Sequence, residues 1–139
     1  MIAVDTNVLV YAVDANETEK GSKAIALLGE LQSKPTVLLW QVVCEFGAVM
    51  ERKKSKSTIK VDVAELASAW MDLFPLALPT REVATKAWEI KTAHQVSYWD
   101  SMLLAACVEA GVKTLYTEDL PGQSTISGVR CVNPFAARV

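Results

Sequence analysis

The chain has 139 residues, a length at which one domain buries roughly 70% of the surface its unfolded chain exposes, so neither disulfides nor a structural metal are needed for a core. With 14 basic against 16 acidic residues the formal charge is −2, which argues against a general polyanion binder acting through net charge. One histidine excludes a His-rich zinc site, and the absence of G-x-S-x-G, G-x-x-x-x-G-K and G-x-G-x-x-G excludes the common hydrolase elbow, P-loop and dinucleotide signatures. Cys44, Cys107 and Cys131 lie in apolar segments without CxxC spacing and read as reduced core residues. Hydrophobic residues make up 51%, enough to leave apolar surface for a partner or a second copy. No apolar run approaches the ~18 residues of a membrane span and no signal-like leader is present, so the expected compartment is the cytoplasm.

In chain order, Ile2 to Val4 is a short buried strand, and Thr6 or Asn7 caps a helix that ends near Asp14 to Asn16. A second helix starts at about Thr18 and stops at Lys34-Pro35. Val37 to Trp40 is the next strand, followed by a helix from Gln41 to about Arg52 and a polar loop from Lys53 to Lys60. Val63 to Phe74 is a helix and Leu76 to Leu78 a short strand between two prolines. Helices from Thr80 to about His94 and from Ser97 to Ala110 follow, the second ended by Gly111. Lys113 to Thr117 and Val129 to Val132 are the last strands, separated by a loop containing Pro and Gly. Strands alternating with helices predict one α/β domain over residues 1–139, a three-layer arrangement around a mainly parallel sheet.

Four carboxylates stand where a carboxylate needs a reason. Asp5 and Asp119 follow strands, at the edge where open α/β sheets bind ligands. Glu45 has Val42, Ala48 and Val49 as its helical neighbours, and Asp100 has Leu103, Leu104 and Cys107. No lysine or arginine occurs within four residues of Asp5, Glu45 or Asp100. If the four converge, each pair ~5 Å apart repels by about 3 kcal/mol at an effective dielectric of ~20, and a cation has to offset it. All-oxygen ligands without His or thiolate favour Mg²⁺ or Mn²⁺, ions that support phosphodiester hydrolysis. Taken singly, Asp5 also suits a helix N-cap, Glu45 a solvated first turn, and Asp119 beside Glu118 a surface turn.

On these residues the chain resembles the PIN-domain nucleases, and in size and motif content the VapC type of toxin ribonuclease. VDTNVLVY is similar to the family's opening motif, QVVCEFGAV to its helical glutamate, SYWDSMLLAAC to its third acidic motif and LYTEDL to its fourth. The resemblance implies that Asp5, Glu45, Asp100 and Asp119 form a Mg²⁺ or Mn²⁺ site that hydrolyses RNA, with Asn7 and Thr117 orienting carboxylates or water. It leaves Glu118 or Asp119 as the fourth acid. It also implies a PIN-like fold, a homodimer, and a small VapB-type antitoxin as partner. Arg52, Lys53, Lys54, Lys56 and Lys60 put five positive charges within nine residues, a run that suits an RNA backbone or simply a helix C-terminus. The competing functions are a PIN-fold RNA-binding domain that does not cut, and a receiver-like Mg²⁺-binding signalling module.

Overall fold

The computed structural model describes residues 1–56, 60–120 and 124–136. Six strands and six helices are present among them: β1 (Ile2–Val4), α1 (Thr6–Val13), α2 (Thr18–Leu31), β2 (Leu38–Leu39), α3 (Trp40–Ser55), α4 (Val63–Leu73), β3 (Leu76–Ala77), α5 (Arg81–Ala93), α6 (Tyr98–Glu109), β4 (Thr114–Tyr116), β5 (Thr125–Ile126) and β6 (Val129–Val132). Parallel pairing joins β1 to β4 and β4 to β6, with β5 antiparallel at the end. A separate parallel pair, β2 with β3, meets β1 through a bridge between Ile2 and Thr36, made by Ile2 N–H to the Pro35 carbonyl and Val37 N–H to the Ile2 carbonyl, both 2.9 Å. The sheet is thus mostly parallel, as the alternation of elements predicts, and Ala3, Val4, Leu38, Leu39 and Leu115 are buried in it.

Local chemistry explains the helix ends. Ser97 caps α6 by accepting the Asp100 amide at 3.1 Å, and Thr80 and Asp62 cap α5 and α4 in the same way. At the other end of α6, Gly111 has φ +74°, the Val112 amide donates to the Cys107 carbonyl at 2.8 Å and the Gly111 amide to Val108 at 3.2 Å, the double closure of a Schellman motif.

The structure departs from the sequence reading in several places. Trp40 opens α3 instead of closing a strand, leaving β2 only two residues long, and α3 continues through Lys53 and Lys54 to Ser55. The predicted polar loop is correspondingly shorter, and its positions 57–59 lie outside the described residues. Asp5, not Thr6 or Asn7, is the N-cap of α1. β5 was hidden in the Pro- and Gly-containing loop: Ser127 (φ 52°) and Gly128 (φ 81°) form a two-residue turn with both central residues left-handed, the geometry of a tight type I′ hairpin. Cys107 and Cys131 are buried free thiols as expected, whereas Cys44 is exposed because it faces away from the α3 residues Val42, Phe46 and Met50 that enter the core.

Two glycines of α2 behave oppositely. A Cβ on Gly21 would sit 2.9 Å from the Tyr11 carbonyl oxygen, so the absence of a side chain is what lets α2 lie on α1, whereas a Cβ on Gly29 meets nothing within 4 Å. Alanine normally favours a helix over glycine by about 1 kcal/mol. Gly29→Ala should therefore raise the melting temperature by a few degrees, roughly 3–5 °C per kcal/mol for a chain of this size. Gly21→Ala should lower it, because the clash with backbone costs about 1–3 kcal/mol and exceeds the propensity gain. A thermal melt of both variants that showed the same sign would refute this account of the α1–α2 contact.

Candidate active site

The β1–β4 register sets Val4 against Tyr116 and therefore Asp5 beside Thr117, at the carboxyl end of both strands. The Asp5 amide donates to the Tyr116 carbonyl at 2.8 Å, which anchors the residue as the strand turns into α1. Its carboxylate is 5% exposed; Oδ1 accepts the Thr6 amide and Oδ2 the Thr117 hydroxyl, each at 2.7 Å. The Thr117 hydroxyl also accepts the Asp119 amide at 3.1 Å, so one side chain ties the first acid to the backbone of the last.

Glu45, half-buried on α3, is held by two neutral donors. The Thr6 hydroxyl donates to Oε2 and the Gln41 amide to Oε1, both at 2.9 Å; the same Gln41 nitrogen reaches the Trp99 carbonyl at 3.1 Å, one residue before Asp100. Asp100 is half-buried in the first turn of α6, so it is not the fully core-facing carboxylate that its Leu103, Leu104 and Cys107 neighbours suggested; Ser97 and Trp99 beside it are exposed, and full burial begins with Ser101. Asp119 is exposed. Asn7 is partly buried, with neither amide atom in a regular hydrogen bond, yet it lies near enough to Asp119 to favour that residue's ionised form.

Electrostatics links the four acids. Burial pushes Asp5 up to about 6 from an ordinary 3.8, against the Thr117 and Thr6 hydrogen bonds, with the charges of Asp119 and Glu45 adding to the rise. Asp119 is also raised, first by partial burial, then by Glu118, Asp100 and, more weakly, Glu45, with Asn7 opposing. Among the described residues no ion pair reaches any of the four. Glu118 differs: it accepts the Tyr11 hydroxyl and pairs with Lys20 at 3.0 Å.

The donor set is oxygen only, which matches a hard divalent cation. Among the described residues, however, no group of three or more His, Cys, Asp or Glu side chains is disposed to hold a metal ion, so the acids are neighbours through their fields and not yet through shared ligation. A metal would have to compete with Thr6, Thr117 and Gln41 for carboxylate oxygens, donors that neutralise no charge.

Of the basic run, Lys53 is paired with Asp14 at 2.9 Å, while Arg52, Lys54, Lys56 and Lys60 are exposed and make no ion pair among the described residues. Gln41, Tyr11 and Lys20 have no role in the sequence reading, and Thr6 has one only as a helix cap, not as a donor to Glu45. Gln41 was visible in principle, four residues before Glu45 on one helix face; Tyr11 and Lys20 meet Glu118 across about a hundred residues of chain, which no local pattern reports.

Because the fold penalises the charged form of Asp5, its contribution to stability is fully present below about pH 4 and is lost as pH rises towards 6. Two pKa units correspond to at most about 3 kcal/mol. In EDTA, Asp5→Asn should melt higher than the wild type at pH 7 and no higher at pH 4. Equal melting temperatures at pH 7 would mean that Asp5 carries no uncompensated charge.

The PIN domain profile matches residues 2–120. No curated protein matches the chain in sequence. Among solved structures, the chain is similar to Mycobacterium tuberculosis VapC20, described as a sarcin-ricin loop cleaving toxin (20% identity, TM-score 0.63, covering 86% of this chain and 90% of that one). It is also similar to FitAcB from Neisseria gonorrhoeae (17%, TM-score 0.66, 99% and 100%) and to VapBC2 from Rickettsia felis bound to a DNA fragment from their promoter (16%, TM-score 0.70, 94% and 97%). At these identities the likeness is one of fold, and it replaces the receiver-like alternative. With a profile match across nearly the whole chain and the sheet order built around β1 and β4, this chain belongs to the PIN domain family.

Proposed function

We propose that the protein is a Mg²⁺- or Mn²⁺-dependent endoribonuclease, a single domain acting as the toxin of a toxin–antitoxin pair. The observation that carries this reading is the set Asp5, Glu45, Asp100 and Asp119, coupled by their charges, without a basic partner among the described residues. Those four side chains would hold the metal, and the bound ion would supply a polarised phosphoryl oxygen and a hydroxide nucleophile. Around it, Thr117 and Thr6 hold Asp5, Gln41 and Thr6 hold Glu45, and Asn7 favours ionised Asp119. Arg52, Lys54 and Lys56, exposed at the end of α3, would bind the RNA backbone, with Lys53 contributing less because Asp14 already pairs with it. Setting aside four metal-bound carboxylates turns the formal −2 into +2, which suits that substrate.

The likeness to VapC20, FitAcB and VapBC2 supports an antitoxin as protein partner. An apolar groove of about 630 Å³, bordered by Trp40, Leu78, Trp99 and Met102, offers surface for a second copy, in keeping with a homodimer. Among the described residues no helix is long and apolar enough to cross a membrane. A second reading, RNA binding without cleavage, is favoured by one observation: no three-ligand group is formed among the described residues.

Incubation of purified protein with a mixed single-stranded and structured RNA pool, in Mg²⁺, Mn²⁺ or EDTA, separates the two. Cutting that needs metal and disappears in Asp5→Ala supports the nuclease; binding without cutting under either metal supports the second reading. Asp100→Asn should abolish cleavage while the metal-free melting temperature holds or rises, since it removes one charge from a repelling group. A large loss of stability in that variant would show Asp100 to be structurally paired instead.

A further inference from the structure

Glu118 and Asp119 are adjacent acids, and the structure treats them differently. Thr117 points its hydroxyl at Asp5, whereas Glu118, half-buried, uses both carboxylate oxygens on the other helices: Oε1 accepts the Tyr11 hydroxyl of α1 and Oε2 pairs with the Lys20 ammonium of α2 at 3.0 Å. Among the described residues, Glu118 thus has a basic partner where the other four acids have none. The Lys20 ammonium also lies 4.9 Å from the centroid of the Tyr11 ring and 5.9 Å from that of Phe135. The Tyr11 and Phe135 rings meet edge to face at 5.1 Å and 83°. The Tyr11 ring is thereby held by Lys20 and Phe135, which also contact each other.

We propose that Tyr11, Lys20 and Glu118 form a clamp that sets the position of Asp119, which makes Glu118 a positioning residue and leaves Asp119 as the fourth acid. This rests on the nuclease reading above. Without the clamp the turn after β4 is anchored by Thr117, whose amide donates to the Val132 carbonyl at 2.9 Å, and by the buried Leu120, with the exposed Asp119 between them. The clamp adds a side-chain anchor at Glu118, and its reference body is α1, the helix whose N-cap is Asp5. The first acid and the turn that carries the fourth are thus held relative to one element, at Asp5 and at Tyr11 six residues further along it. Glu118 itself is removed from the ligand set by the ammonium that neutralises it.

Tyr11→Phe isolates the claim, because it deletes the hydroxyl and keeps the ring contact with Phe135. Deuterium exchange across residues 117–120 in metal-free protein reports the turn without reference to activity, and RNA cleavage reports the consequence. Tyr11→Phe and Lys20→Met should each speed exchange in that segment several-fold, leave β1 protected and lower kcat by about tenfold with KM within about twofold. Lys20→Arg should restore both readouts. Val63→Ala, a core change in α4, should lower the melting temperature and move neither.

If Glu118 is itself a metal ligand, freeing it in Tyr11→Phe leaves kcat unchanged or raises it, and the clamp is wrong. A wild type that cuts RNA, with variants that neither loosen nor slow, overturns the clamp and leaves the nuclease reading intact. A wild type that does not cut, with variants whose turn still loosens, overturns the nuclease reading and supports the clamp.

Discussion

The burial of the Asp5 carboxylate with no basic side chain paired to it among the described residues is the constraint around which the molecule is arranged. Placing a charge in this position is unfavourable, and the fold limits the penalty with neutral donors: a backbone amide from the start of α1 and a hydroxyl from the end of β4. The amide is local to the helix cap, but the hydroxyl reaches Asp5 only because β1 and β4 are neighbours in parallel, so the strand order supplies half of what makes the carboxylate tolerable. The same threonine that accommodates Asp5 receives the Asp119 amide, and the same helix start supplies Thr6 to Glu45. Three of the four acids are therefore held by a small network of groups that carry no formal charge. Such a network keeps the carboxylates in place while leaving their negative potential unspent.

That arrangement separates two kinds of polar contact that look alike by distance alone. A hydroxyl or amide on a carboxylate fixes direction and keeps the charge, whereas an ammonium fixes direction and cancels it. Glu45 and Asp5 have the first kind, Glu118 the second. Adjacent residues in one turn can in this way have opposite roles, and the choice between them lies in helices distant in sequence.

What could be read from the sequence depends on the range of the interactions involved. Helices α2, α4, α5 and α6 were legible because capping residues and apolar periodicity are local, and Ser97, Thr80 and Gly111 do in the structure what their types suggest. The parallel character of the sheet was legible from alternation. Trp40 was misassigned because a two-residue strand running directly into a helix leaves no polar break, and β5 because its signal is a single Ser-Gly turn. Asp100 was placed too deep because periodicity identifies a face and not the depth of its first turn. The candidate acids were legible as carboxylates out of place; Gln41 and the Thr6 amide lie close to them in sequence, but the hydroxyls that join one element to another, Thr6 on Glu45 and Thr117 on Asp5, come from 39 and 112 positions away, and only the folded chain reveals those.

The outermost strands of the described sheet, β3 and β5, are each only two residues long. An edge of that length offers few unpaired amides and carbonyls, too few to template another strand. Main-chain pairing is therefore a poor route for aggregation of this protein and an equally poor route for recognition. A partner that meets either of these edges reads side chains more than backbone, as it would on α3 and α6, where Trp40, Arg52, Lys54 and Trp99 are exposed.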